Sequence, residues 1–82
     1  MTIREEALEV LYKVTAEIFT TDRAKLSPST DFATDLGAKS VSIVQISAAL
    51  ENAFDVEVPY MELSRRKTIG DAADLIAKLF GE

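Results

Sequence analysis

Apolar residues recur with helical spacing in three stretches of this 82-residue chain, and the spacing is lost between them. In residues 2–19 the stripe is Ile3, Ala7, Leu8, Leu11, Val14, Ile18 and Phe19, with no Gly or Pro to interrupt it. Thr2 followed by Glu5 fits a capping box, in which each side chain bonds the other's backbone amide. Residues 40–54 carry a second stripe, Ile43, Ile46, Ala49, Leu50, Ala53 and Phe54. A narrower strip of Val41, Val44 and Ala48 lies beside it. The β-branched start of this segment would also suit a strand, but the continuation Ala-Ala-Leu-Glu-Asn-Ala favours helix. Residues 69–80 carry the third stripe, with Thr68 and Asp71 as a cap pair and Lys78 near the negative end of the helix dipole.

The intervening segments read differently. Residues 20–39 contain a turn cluster, Ser27-Pro28-Ser29-Thr30-Asp31, and three spaced anchors, Leu26, Phe32 and Leu36. This predicts a long loop pinned to the core, or one that hides a short helix. Gly37 suits a tight turn ahead of the second helix. Val56 and Val58 alternate with acids, but a lone segment of this length has no partner strand, so 55–59 reads as loop. Residues 60–65 predict a short helical turn, followed by the basic run Arg65-Arg66-Lys67. The expected fold is all-α: a small four-helix bundle with three main helices, a short third helix and a long loop after the first. Residues 1–82 read as a single domain, since so short a chain cannot build two cores.

Composition narrows the chemistry. There are no histidines and no cysteines, which excludes a Ser-His-Asp triad, a cysteine nucleophile, a disulfide framework and a zinc-cysteine site. The nearest approach to a calcium loop, Asp31 to Gly37, places apolar and small residues at ligand positions, so no metal site is expected. No paired carboxylates suggest acid-base catalysis, and no catalytic residue is assigned. The net charge of −5 disfavours nucleic acid. No apolar run is long enough to cross a membrane, and the first residues lack a signal-peptide core, so a cytoplasmic protein is expected; the expected state is a monomer.

The order of motifs carries the rest. Asp35-Leu36-Gly37-Ala38-Lys39-Ser40-Val41, then Ile43-Val44-Gln45-Ile46 and Ala49-Leu50-Glu51-Asn52-Ala53-Phe54, resembles acyl carrier proteins. Their usual reading there is D-L-G-A-D-S-L followed by a helix of the form V-E-L-x-x-A-L-E-E-x-F. Asp55-Val56-Glu57-Val58-Pro59 is similar to the family's exit from that helix, and Thr68-Ile69-Gly70-Asp71 to the start of its last one. Leu26-Ser27-Pro28-Ser29-Thr30-Asp31-Phe32 looks like the loop before the motif. The resemblance spans nearly the whole chain.

It implies that Ser40 carries covalent 4′-phosphopantetheine, installed by a phosphopantetheinyl transferase. The arm would hold acyl groups as thioesters for fatty-acid, polyketide or related lipid biosynthesis. Acyl synthases and acyltransferases would be the further partners. Residues on the second helix would dock them, here Val41, Val44, Ala48 and Glu51. Independently of the resemblance, a serine at a helix N-terminus is well placed for a phosphate, because free amides and the positive dipole end favour an anion there.

Two departures stand out. Lys39 replaces the usual Asp before the serine, where it is positioned to contact the phosphate, and Val41 replaces Leu. The second helix holds one acid, Glu51, so steering toward basic partner surfaces should be weak and the carrier specialised. A peptidyl carrier would more typically show G-G-H-S where this chain has Gly37-Ala38-Lys39-Ser40. The competing reading is an unmodified helical adaptor that binds a partner through the second helix.

Overall fold

Capping residues set where the helices begin. In the computed structural model, which describes residues 1–82, Thr2 Oγ1 accepts the Glu5 N–H at 3.1 Å and the Glu5 carboxylate accepts the Thr2 N–H at 2.9 Å, opening α1 (Ile3–Ile18). Thr68 and Asp71 repeat this reciprocal pairing at the start of α4 (Ile69–Leu79). Between them lie α2 (Ser40–Phe54) and the single-turn α3 (Tyr60–Ser64). The bundle is therefore the four-helix, all-α fold that the periodicity predicts. The long loop does contain a short helical piece, a 3₁₀ turn at Arg23–Lys25 capped by the Asp22 carboxylate.

The core is one cluster drawn from all four helices and the loop. Leu11, Ile46, Leu50, Leu63, Ile69, Leu75 and Ile76 are fully buried, joined by Phe32 from the loop and Val58 ahead of α3. Each such side chain contributes roughly 1.5–3 kcal/mol of burial free energy. Helix α1 packs most extensively on α4 and also on α2, whereas α3 rests on α2 and α4. Ala7, Ala72 and Ala73 are fully buried small residues on α1 and α4 that fit this close approach. An exposed ion pair between Arg4 and Asp74, 2.7 Å, bridges the same two helices. Ala53, on the apolar stripe by spacing, is exposed instead, because the bundle covers a narrower arc of α2 than the sequence offers.

The long loop is fixed by backbone pairing with the start of α4. Gly70 N–H donates to the Pro28 carbonyl at 2.8 Å, Ile69 N–H to Thr30 at 3.0 Å, and Phe32 N–H to Lys67 at 3.0 Å. Asp31 and Thr68 form an isolated antiparallel bridge within this staple. It buries Phe32 and holds the chain leading into α2.

Candidate functional site

The segment before α2 is a built turn rather than a slack connection. Asp31 Oδ1 accepts the amides of Ala33 and Thr34 at 2.8 and 2.9 Å, while Asp35 Oδ2 accepts the Asp31 amide at 2.8 Å. The amide of Thr34 is the main cause that holds the Asp31 carboxyl below its ordinary range, with Ala33 and the Lys67 charge adding to it against the cost of burial. Asp35 and Gly37 amides then close helical turns onto Asp31 and Ala33. Gly37 ends that turn at φ +64°, a left-handed conformation that a glycine adopts without strain. Ala38 N–H returns to the Phe32 carbonyl at 2.8 Å, so residues 38–40 are anchored through Phe32 to the core.

Ser40 is the first residue of α2 and is exposed. The backbone amides of Ser40, Val41 and Ser42 have no acceptor within the protein, and the first intrahelical bond runs from Ile43 N–H to Lys39 C=O at 3.1 Å. Lys39 occupies the N-cap position with no side-chain cap, since an ammonium has no lone pair to offer the helix amides. The only local substitute runs the other way, a long 3.4 Å bond from Lys39 N–H to Ser42 Oγ. An exposed hydroxyl thus sits beside three unpartnered amides at the positive end of a four-turn helix. That arrangement fits a phosphodiester: negative charge is stabilised there by about 0.3–1 kcal/mol even at an exposed terminus.

Val41 and Val44 point into solvent, with 64% and 52% of their surface exposed, and Ala48 is exposed on the same strip. The narrow strip is therefore not core. Glu51 is half-buried, and its carboxylate accepts the Val58 N–H at 2.8 Å. Ser47 is buried and donates to the Val58 carbonyl at 2.8 Å. Together the two side chains clamp the segment leading into α3. Neither bond has a short-range sequence signature, because the partners lie 7 and 11 residues apart in a non-repeating loop. Sequence reasoning also missed Tyr60 and Met61, which α3 leaves 37% and 60% exposed. The Asp31 turn, by contrast, was readable in principle, since an aspartate accepting amides two and three residues on is a common turn chemistry.

A family model for the phosphopantetheine attachment site matches residues 3–76. This chain belongs to the acyl carrier protein family. The carrier is 32% identical to the acyl carrier protein of Rubrobacter xylanophilus over 75 residues, 92% of this chain and 93% of the relative. Its fold is similar to the solved structure of the acyl carrier protein from Enterococcus faecalis, with a TM-score of 0.77 and 28% identity over 96% of this chain and 99% of that one. Family membership implies a covalently attached 4′-phosphopantetheine, and it makes this protein a carrier rather than a catalyst. The carrier has no helix long and apolar enough to cross a membrane. Two surface clefts are present. The larger, about 440 Å³, is a polar hollow on the long loop lined by Thr21, Lys25, Ser29 and Asp35 among others, so neither a ready acyl tunnel nor the start of α2 defines it.

Proposed function

We propose that Ser40 is the attachment point of the phosphopantetheine arm and that the carrier delivers acyl groups to synthases and acyltransferases of fatty-acid, polyketide or related lipid biosynthesis. The observation that carries this reading is the exposed Ser40 hydroxyl beside three backbone amides without acceptors. When bound, the group supplies a terminal thiol that holds acyl groups as thioesters. The chain's own part is to present the hydroxyl to a phosphopantetheinyl transferase, to stabilise the phosphate with the amides of α2, and to place the Lys39 cation next to it. The arm leaves from a loop–helix junction, where it can swing without disturbing the core. Residues 1–82 act as one cytoplasmic carrier domain in this reading.

Intact mass of the protein after treatment with coenzyme A and a broad-specificity transferase tests it. The expected result is a gain of one phosphopantetheine that Ser40→Ala abolishes. A gain retained by Ser40→Ala places the arm elsewhere. If neither the natural chain nor Lys39→Asp is modified, the unmodified adaptor reading replaces this one.

A further inference from the structure

The charge of this molecule is unevenly laid out. The whole chain carries −5, yet the stretch 36–50 contains a single charged residue, Lys39. Residues 60–68 add Arg65, Arg66 and Lys67 against one acid, Glu62. These two stretches are neighbours in space. Helix α3 packs on α2, and the Lys67 carbonyl is joined to Phe32 N–H while the Phe32 carbonyl is joined to Ala38 N–H, which brings the basic loop to the entrance of α2. The ion pairs of the protein, Arg4 with Asp74 and Arg23 with Glu9, lie elsewhere, so none of these four cations has a carboxylate within 4 Å. Several acids lie near by: Asp31 and Asp71 accept backbone amides, Asp35 accepts the Asp31 amide, Glu62 and Asp71 share a small cleft with Arg65 and Arg66, and Asp55 and Glu57 stand exposed between the two stretches. The one acid of α2, Glu51, is committed to Val58.

The exposed large apolar side chains of α2 and α3, two helices packed on each other, are Val41, Val44, Tyr60 and Met61. An apolar centre bordered by cations that form no ion pair is complementary to a surface of opposite border charge. We infer that the face around Ser40 docks a partner protein whose contact surface is apolar at its centre and carries carboxylates at its rim, read by Lys39, Arg65 and Lys67. The inference rests on Ser40 being the attachment position, since a partner that works on the arm must approach there. It runs against the net charge of the whole molecule, which by itself favours basic partners; local charge prevails because salt screens exposed charges beyond about 8–10 Å.

The test uses two synthetic amphipathic helical peptides of about 16 residues, long enough to hold a helix on contact. They share one leucine face and differ only in flanking residues, Glu in one and Lys in the other. Each is titrated into uniformly ¹⁵N-labelled, unmodified full-length protein. The expected result is that the Glu peptide shifts amides in 39–48 and 60–67, that added salt weakens it, and that a Lys39→Gln, Arg65→Gln, Lys67→Gln variant with unchanged melting temperature binds it at least about fivefold less tightly. The inference is overturned if the Lys peptide shifts the same amides at equal or lower concentration, if neither peptide shifts them, or if the triple variant binds the Glu peptide as well as the natural chain does. Because the protein is unmodified, this titration reads the surface whether or not Ser40 accepts the arm, and the mass measurement reads the arm alone.

Discussion

Gly70 N–H donates to the Pro28 carbonyl at 2.8 Å, and a β-carbon added at Gly70 would lie only 2.9 Å from that same oxygen. Pro28 Cβ at 3.2 Å and the Arg4 guanidinium at 3.3 Å close the other sides. An ordinary helical glycine gains about 1 kcal/mol on replacement by alanine. Here the obstructing atom is backbone, which cannot swing aside, so the overlap wins. Gly70→Ala is expected to destabilise the fold by about 1–3 kcal/mol, the usual range for forced overpacking. Thermal unfolding checks this: the midpoint should fall by several degrees, and a rise would show that the long loop is not held against α4 as described.

Thr15 is fully buried on α1, and its Oγ1 has no hydrogen-bond partner. A buried hydroxyl without a partner costs about 1–3 kcal/mol, and valine has nearly the same shape without that cost. Thr15→Val should therefore raise the urea midpoint while leaving the slope of the transition unchanged. An unchanged or lowered midpoint would mean that the hydroxyl is satisfied.

The end of α1 holds a second reserve of stability. Thr20 lies at φ +50°, one residue past the C-cap Phe19, and Thr21 N–H reaches back to the Ala16 carbonyl at 3.1 Å. This is the left-handed helix ending that glycine normally supplies, and a β-branched residue is strained in it. Thr20→Gly should stabilise the protein by about 1 kcal/mol, the cost of a left-handed L-residue. Chemical denaturation would show it as a higher midpoint. A loss instead would mean that the gain in unfolded-chain entropy outweighs the relieved strain.

Glu51 was expected on the docking surface, and its contact with Val58 gives it a structural task that can be separated from docking. Val58 is 2% exposed, so Glu51→Ala strands a buried amide at a cost of about 1–3 kcal/mol. Glu51→Gln keeps an acceptor and should cost much less. Hydrogen exchange at Leu63, whose amide bonds the Pro59 carbonyl at 3.0 Å, should quicken in Glu51→Ala and hardly in Glu51→Gln. Equal exchange in the two variants would show that the clamp does not hold α3 in place.

The acid end of the stability profile depends on Asp31. Its folded-state carboxyl titrates below the ordinary aspartate range, first because of the Thr34 amide, so as pH falls the unfolded chain takes up the proton before the folded one does. The stabilisation is complete above the unfolded value, near pH 4, and is lost as pH drops through the lower folded value. Glu5, lowered by the Thr2 amide, contributes with the same sign. Urea unfolding between pH 6 and 2.5 should show natural protein losing stability more steeply below pH 4 than Asp31→Asn, whose side chain can still accept both amides but does not titrate there. Parallel curves would refute the assignment.

The helices and their caps were legible in the chain because both are local. The capping boxes at Thr2–Glu5 and Thr68–Asp71 need only a spacing of three residues, and the stripes of α1, α2 and α4 need only the helical period. The position of Ser40 at a helix start followed from Gly37 and the apolar onset at Val41. The 3₁₀ turn at Arg23–Lys25 was harder, since three residues with no buried side chain leave no periodicity to read. Helix α3 was foreseen one residue too long for the same reason: its stability comes from the burial of Leu63 and the fixing of Val58, not from its own five residues.

Composition and periodicity by themselves determined the all-helical class, the absence of histidine and cysteine chemistry, and a serine at the head of the second helix, because each depends on residue identity or on neighbours a turn away. Tertiary structure decided which stripe of α2 faces water, why Gly70 cannot be larger, which acids are spent on backbone amides, and that the basic loop lies beside the entrance of α2. Those outcomes depend on contacts between residues far apart in the chain, such as Gly70 with Pro28 and Lys67 with Phe32, whose meeting no local pattern encodes.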